Sequence, residues 1–235
     1  MTATDRTHPD TIDWNRYWTD ADDEARESAT PSAHHMRELL ADFVAAKSVP
    51  DTVADVGCGP GVVTFDLADR FPETTVVGYD AAEPILTENR TRAREEGIEN
   101  VRFEQAVLPE FAPDTEFDLV VCYGTLCYVP ESARALQALY DAVAPGGHLV
   151  LGYMNSLAAA HHRRLQAADP DELDHEFDPD AHRERFGLVM REESTLSYRQ
   201  IHDAVGTWPR SFWEVTEKPE QRWAWRHVPS VWIPK

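Results

Sequence analysis

Lysine is nearly missing from this chain. It stands only at Lys47, Lys218 and Lys235, so arginine carries almost all of the positive charge. Against 22 basic residues stand 42 acidic ones, giving a formal net charge of -20 over 235 residues. The excess runs along the whole chain rather than gathering in a tail. Nucleic-acid binding rests largely on Lys and Arg contacts to phosphate, so this balance argues against DNA or RNA as a partner. Long hydrophobic runs are lacking too. No stretch approaches the ~20 apolar residues of a membrane helix, and MTATDRTHPD has neither the basic nor the apolar region of a signal peptide. Cysteine is scarce and odd in number, at Cys58, Cys122 and Cys127, and none has metal-ligand spacing. The expectation is a soluble cytoplasmic protein, monomer or homodimer, in a reducing compartment, without membrane or metal.

What is present is organised around VADVGCGPG, residues 53–61. Val53, Ala54 and Val56 read as a buried strand that stops in a glycine turn, and Val62, Val63, Phe65 and Leu67 open a helix. Strand, glycine turn and helix N-terminus together make a nucleotide-binding element, because glycine lets backbone approach a ligand closely. The spacing is not that of a dinucleotide site. A third glycine would fall at position 62, which is Val62, and this disfavours an NAD-linked reductase. No Gly-Lys-Ser/Thr follows, so a P-loop is excluded.

The chain then alternates strands and helices. Strands are expected at Thr52–Val56, Thr75–Tyr79, Val101–Gln105, Phe117–Tyr123 and after the turn APGG, with helices between them. Such alternation requires a parallel, doubly wound sheet. Asp80 ends the second strand about 20 residues beyond the turn, where an acid can accept both hydroxyls of a ribose. Toward the C-terminus RSFWEVTEK and WAWRHVPSVWI alternate aromatic with polar residues, the pattern of half-buried strands. Trp213, Trp223, Trp225 and Trp232 read as core. At the other end Trp14, Tyr17 and Trp18 share one face of a short helix. A helix from Ser32 to Lys47 carries His34 and His35 in its first turn, where the helix dipole disfavours their protonation.

Gly57, Gly59 and Gly61, with Asp55 two residues before the first, resemble motif I of the class I S-adenosylmethionine (SAM)-dependent methyltransferases. The segment after the fourth strand resembles that family's vLhYv pattern through Leu126, Tyr128 and Val129, with Cys127 in the usual His place, and Pro-Gly-Gly before the fifth strand is a further landmark. The resemblance spans about Leu39 to Asn155. It implies an α/β fold: a doubly wound, mostly parallel seven-stranded sheet with an antiparallel C-terminal hairpin and an N-terminal helical lid. Residues 1–31 would form tail and lid, and 32–235 a single domain with an insertion at about 156–196. It implies SAM as cofactor, with Asp55, Gly57, Cys58, Gly59 and Gly61 at the methionine end, Asp80 and Ala81 at the ribose, and Ala106 and Val107 at the adenine. Cys122 and Tyr123 would line the cofactor, and Tyr17 and Trp18 would close over it. Val107 departs from the acid usual at that place.

The acceptor is expected to be a small molecule, since both the [DNS]-P-P-[YF] signature of nucleic-acid enzymes and the paired acids of spermidine synthases are lacking. A general base is needed only for a protonated acceptor, and His34, His35 and Tyr128 are the candidates. The alternative reading is a non-catalytic SAM-binding sensor or partner subunit, which Val107 alone favours. The acidity resembles that of halophilic archaea, whose proteins stay hydrated in molar salt. His161, His162, His175 and His182 scatter through the insertion without metal-site spacing and read as solvated.

Overall fold

Continuous apolar runs bounded by turn residues build the centre of a sheet buried on both faces. The structure, a computed structural model, describes residues 11–30, 36–169, 177–221 and 225–235. Strands β1 (Thr52–Val56), β2 (Thr75–Asp80), β3 (Val101–Gln105), β4 (Phe117–Tyr123) and β5 (Val143–Gly152) pair in parallel. Two further strands, β6 (Arg210–Ser211) and β7 (Ser230–Pro234), complete the order β3-β2-β1-β4-β5-β7-β6, with β7 antiparallel to both neighbours. The expected seven-stranded, mostly parallel sheet is therefore observed.

The period of two along each strand divides the core into two layers. Val53, Leu119, Val121 and Val150 face one layer, where α3 (Met36–Ala46) and α4 (Val62–Arg70) bring Leu39, Phe43 and Leu67. Ala54, Val120, Cys122 and Leu151 face the other, where α6 (Ser132–Asp141) and α9 (Tyr198–Val205) bring Leu136, Leu139 and Ile201. Helix α5 (Glu83–Glu96) follows β2 and ends at Gly97 in the left-handed conformation, as an isolated C-terminal glycine predicts. Ahead of the sheet lie α1 (Trp14–Asp20), capped by the Asp13 carboxylate, and α2 (Asp23–Ser28). Arg26 on α2 grips Glu88 on α5 at 2.8 Å and also donates to the Trp18 carbonyl at 2.7 Å, so the N-terminal unit is docked on the domain.

Three expectations differ from the structure. Of the expected helix from Ser32 to Lys47, α3 covers Met36–Ala46, while Ser32, His34 and His35 lie outside the described residues. RSFWEVTEK is a strand only at Arg210–Ser211. Ser211 then accepts the Trp213 N–H and caps a 3-10 turn over Phe212–Glu214. The turn buries Phe212 against Phe43 and leaves Trp213 47% exposed, so Trp213 is not core. The last aromatic stretch becomes a strand only after Pro229, at Ser230, and Trp223 lies outside the described residues.

The segment after β5 is helical in α7 (Ser156–Ala167) and α8 (Pro179–Met190). It is not simply solvated. His162 is buried, stacks on Phe186 at 4.1 Å and meets His182 at 3.1 Å between ring nitrogens. Burial and the neighbouring His182 push the His162 imidazole down to about 3. His175 lies outside the described residues. Among the described residues no helix is long and apolar enough to cross a membrane, and no cluster of three or more His, Cys, Asp or Glu side chains could hold a metal.

Candidate functional site

The strand order reverses beside β1, whose two neighbours are β2 and β4. In open α/β sheets the crevice at such a point, beyond the carboxyl ends of the strands, is where ligands bind. A cleft opens there, with about 1120 Å³ of space between its walls and the solvent it opens to.

Its floor is the turn after β1. Gly57 and Cys58 donate their N–H groups to the Tyr79 carbonyl at 2.7 and 2.9 Å, which ties the turn to the end of β2. Gly57, Gly59 and Gly61 all have positive φ, at 79°, 49° and 72°. At Gly57 the requirement is also steric, because a Cβ there would stand 2.0 Å from Thr125 Oγ1.

Asp80 stands beside this turn. One carboxylate oxygen accepts the Gly59 N–H at 2.9 Å and the other the Ala82 N–H at 3.0 Å. Burial pushes its pKa up, against the pull of those N–H groups. Each oxygen keeps acceptor capacity toward the cleft. Ala81, Gln105, Ala106, Val107 and Leu108 continue this wall, while Tyr123, Gly124, Thr125, Tyr128 and Val129 form the β4 side. The roof comes from the N-terminal unit through Ile12, Trp14, Asn15, Trp18, Ala29 and Thr30. Trp18 is only 3% exposed, and its ring would meet a Cβ on Gly59 at 3.4 Å.

The structure thus brings Gly57, Cys58, Gly59, Asp80, Ala81, Ala106, Val107, Tyr123, Trp18 and Tyr128 to one cleft. It sets Asp55, Gly61, Cys122 and Tyr17 behind that wall. Asp55 is 4% exposed and accepts the Thr64 hydroxyl at 2.7 Å, so it braces the turn against α4. Gly61 begins α4. Cys122 is fully buried in the core. Tyr17 gives its hydroxyl proton to the Ala25 carbonyl at 2.5 Å and packs edge-on against Trp14 and Trp18. His34 and His35 lie outside the described residues.

Tyr128 sits edge-on to Trp14 at 4.8 Å, and its hydroxyl accepts a hydrogen bond from Arg185 Nε at 3.1 Å. Burial pushes the Tyr128 phenol up, which disfavours it as a base. Sequence reasoning missed Thr125 and Arg185. The glycine just before Thr125, directly after a buried strand, was the available signal for the first. Nothing local marks the second.

Asp55 sets a pH dependence. Burial raises its carboxyl from about 3.8 to about 6, opposed by the Thr64 hydroxyl and reinforced by Asp80. The folded state therefore holds this proton more tightly than the unfolded state. The contribution to stability is fully present below about pH 4 and lost as pH rises through about 6, amounting to roughly 3 kcal/mol. An amide keeps the acceptor for Thr64 without the charge. Asp55→Asn should match the wild type in urea midpoint near pH 4 and exceed it at pH 8, and equal midpoints at both pH values would refute a buried, pH-sensitive Asp55.

Comparison with known proteins places this geometry. The family described as Methyltransferase domain matches residues 47–195. The trans-aconitate 2-methyltransferase of Streptomyces coelicolor is 34% identical over 165 residues, 70% of this chain and 52% of that protein. That of Methylobacterium nodulans is 33% identical over 66% of this chain and 55% of its own length. The chain thus spans about half the length of the curated relatives it matches. Among solved structures, the plantazolicin methyltransferase BpumL superposes with a TM-score of 0.63 at 12% identity, covering 94% of this chain and 93% of that one. Magnesium protoporphyrin IX methyltransferase from Synechocystis PCC 6803 superposes with a TM-score of 0.60 at 16% identity, over 94% and 92%. These likenesses are of fold. Through the family match over residues 47–195, carried on a Rossmann-like sheet, the chain belongs to the methyltransferase domain family.

Proposed function

We propose that this protein is a SAM-dependent methyltransferase acting on a small-molecule acceptor. The observation that carries the reading is Asp80 beside the glycine turn, its two oxygens oriented by the Gly59 and Ala82 N–H groups and still able to accept from a ribose. Gly57, Cys58 and Gly59 would hold the methionine end through backbone, Asp80 and Ala81 the ribose, and Ala106 and Val107 the adenine. Tyr123 and Trp18 would close the two sides. Asp55, Gly61, Cys122 and Tyr17 would act from behind, by shaping the turn and the lid. When bound, SAM supplies an activated methyl group on a sulfonium. The protein's share is to align the acceptor and exclude water. The roof of Trp14 and Trp18 suits that task.

Acceptors to try begin with trans-aconitate, the compound in the names of the matched relatives. The acidic surface fits a protein working in the cytoplasm of a halophile, and it repels nucleic acid at ordinary ionic strength. A non-catalytic SAM-binding role keeps one supporting observation, the apolar Val107 on the wall where an acid is usual.

Calorimetric titration with SAM and with S-adenosylhomocysteine (SAH), in low and in molar salt, tests the cofactor. Micromolar binding of both is expected, and no binding in either salt would reject the enzyme. In the same assay Asp80→Ala should weaken SAM by roughly tenfold to a hundredfold, because hydrogen bonds to a charged group are worth about 1.5–3 kcal/mol. Unchanged affinity would remove Asp80 from the site.

A further inference from the structure

We propose that Arg185 is a positioning residue that latches the N-terminal roof to the β4 wall of the cleft, and so sets how long a bound cofactor stays. The inference rests on the methyltransferase reading, since it concerns the same site. The first observation is that the roof is fastened differently on its two sides. Toward α5, Trp18 is buried with Ala82 and Ile85. Arg26 there grips both carboxylate oxygens of Glu88, at 2.8 and 3.0 Å, and Asn15 accepts the Glu83 N–H at 3.2 Å. That side is the anchored one. Toward α8 a single guanidinium, half-buried, spans roof and wall. Arg185 Nη1 donates to the Ser28 hydroxyl at 3.1 Å and Nη2 to the Ser28 carbonyl at 3.0 Å, while Nε donates to the Tyr128 hydroxyl at 3.1 Å. Ser28 is the last residue of α2, and Tyr128 lines the cleft. The fork of one arginine thus uses all three of its nitrogens to join an element of the roof to an element of the wall.

The second observation is where the hydrogen bonds lead. The Tyr128 hydroxyl, having accepted from Arg185, donates to the Cys127 thiol. Cys127 Sγ donates in turn to the Gly124 carbonyl at 3.2 Å. Gly124 belongs to the cleft wall that follows β4. Every donor in this chain points the same way, from the charged end toward the wall, so each bond polarises the next. The guanidinium is the one ionised donor among them. Without it the Tyr128 hydroxyl loses the partner that fixes its direction, and the roof loses its bond to that wall at the same time.

The third observation is how Arg185 is itself held. Helix α8 leaves helical dihedrals at the next residue, Phe186, with φ -111° and ψ 15°. A break of this kind re-aims the side chains beside it. The Phe186 ring is fixed on several sides: His162 of α7 stacks on it at 4.1 Å, Tyr128 lies against it at 6.2 Å, and the Arg185 guanidinium stands 5.1 Å from its centre. The base of the latch is therefore packed, while its far end bonds neutral oxygens rather than a carboxylate. Such a tie is made and broken without separating an ion pair. Opening on the α8 side, with the α5 side as hinge, lets ligands pass, and closure excludes water from the cleft.

The test is the rate at which SAH leaves the full-length protein, followed by stopped-flow tryptophan fluorescence, since Trp14 and Trp18 line the cleft. Arg185→Gln should speed release by roughly tenfold to a hundredfold, the worth of a hydrogen bond from a charged donor. Arg185→Lys, which keeps the charge without the fork, should recover part of the retention. Tyr128→Phe should also speed release, and combined with Arg185→Gln it should be no faster than Arg185→Gln alone, because both break one latch. Tyr128→Phe and Arg185→Lys carry the test if Arg185→Gln does not fold. Arg163→Gln is the control for a merely structural role. It cuts the tie from α7 to Glu192 just beyond α8 without touching the roof, and it should release SAH at the wild-type rate. Three results overturn the proposal: wild-type release from the Arg185 variants, additive effects of Arg185→Gln and Tyr128→Phe, or equal acceleration by Arg163→Gln. If the wild type binds no SAH, the cofactor reading falls and the latch with it. SAH binding whose release is indifferent to Arg185 defeats this inference alone.

Discussion

Gly57→Ala is expected to abolish measurable SAM binding while leaving a protein that still folds. Two costs combine. The φ of 79° lies in the left-handed region, which charges a residue with a Cβ about 1–2 kcal/mol. The added Cβ would also stand 2.0 Å from Thr125 Oγ1, 2.6 Å from its Cγ2 and 2.8 Å from its Cβ. Thr125 is β-branched and stiff at χ1, so it cannot step aside by rotating. Relief requires the backbone after β4 to move, and that backbone is a cleft wall. Thermal melting should show a cooperative transition at lower temperature, and calorimetry should show affinity reduced at least about a hundredfold if the strain and the wall movement together exceed ~3 kcal/mol. Adding Thr125→Ala should restore part of the affinity, since it deletes two of the three colliding atoms. Native-like affinity in Gly57→Ala would show that the turn does not have this shape when loaded. Gly59 is the looser position: a Cβ there meets only the Trp18 ring, at 3.4 Å.

Phe212→Ala should cost the most stability, about 3–5 kcal/mol, the range for truncating a fully buried Phe. Phe212 is 0% exposed and stacks on Phe43 at 5.4 Å, within the layer that also holds Trp232. Its neighbour Trp213 is exposed and meets Trp225 edge-on at 4.9 Å. Trp213→Ala should therefore cost under about 1 kcal/mol. Chemical denaturation of the pair of variants checks this directly. Similar midpoints for the two would mean that the turn at Phe212–Glu214 does not anchor the sheet edge.

That pair of aromatics also explains where the sequence was legible and where it was not. Strands β1 to β5 are readable because burial on both faces forces continuous apolar runs, and because the connecting turns carry glycine or proline. In RSFWEVTEK the alternation of aromatic and polar residues suits a half-buried strand and a capped turn equally well. The outcome was decided by distant packing of Phe212 on Phe43, which no local pattern records. The site divides in the same way. Gly57, Gly59 and Asp80 are legible because a glycine turn and an acid at a strand end have a fixed geometry. Asp55 is legible as an important acid, but its partner Thr64 turns it inward. Arg185 carries no local signal at all, because the folding of α8 back toward α2 alone brings it to Tyr128 and Ser28.

The roof of the cleft has a consequence for how such a protein diversifies. Ile12, Trp14, Trp18 and Thr30 close the ligand space, yet all precede residue 47, where the family match begins. The matched part supplies a floor and two walls, and a short N-terminal cover that lies before the match completes the enclosure. Exchange of that cover alters the shape presented to an acceptor while every strand and the glycine turn stay as they are. The shape of the cleft can thus change without renewed cost to the sheet.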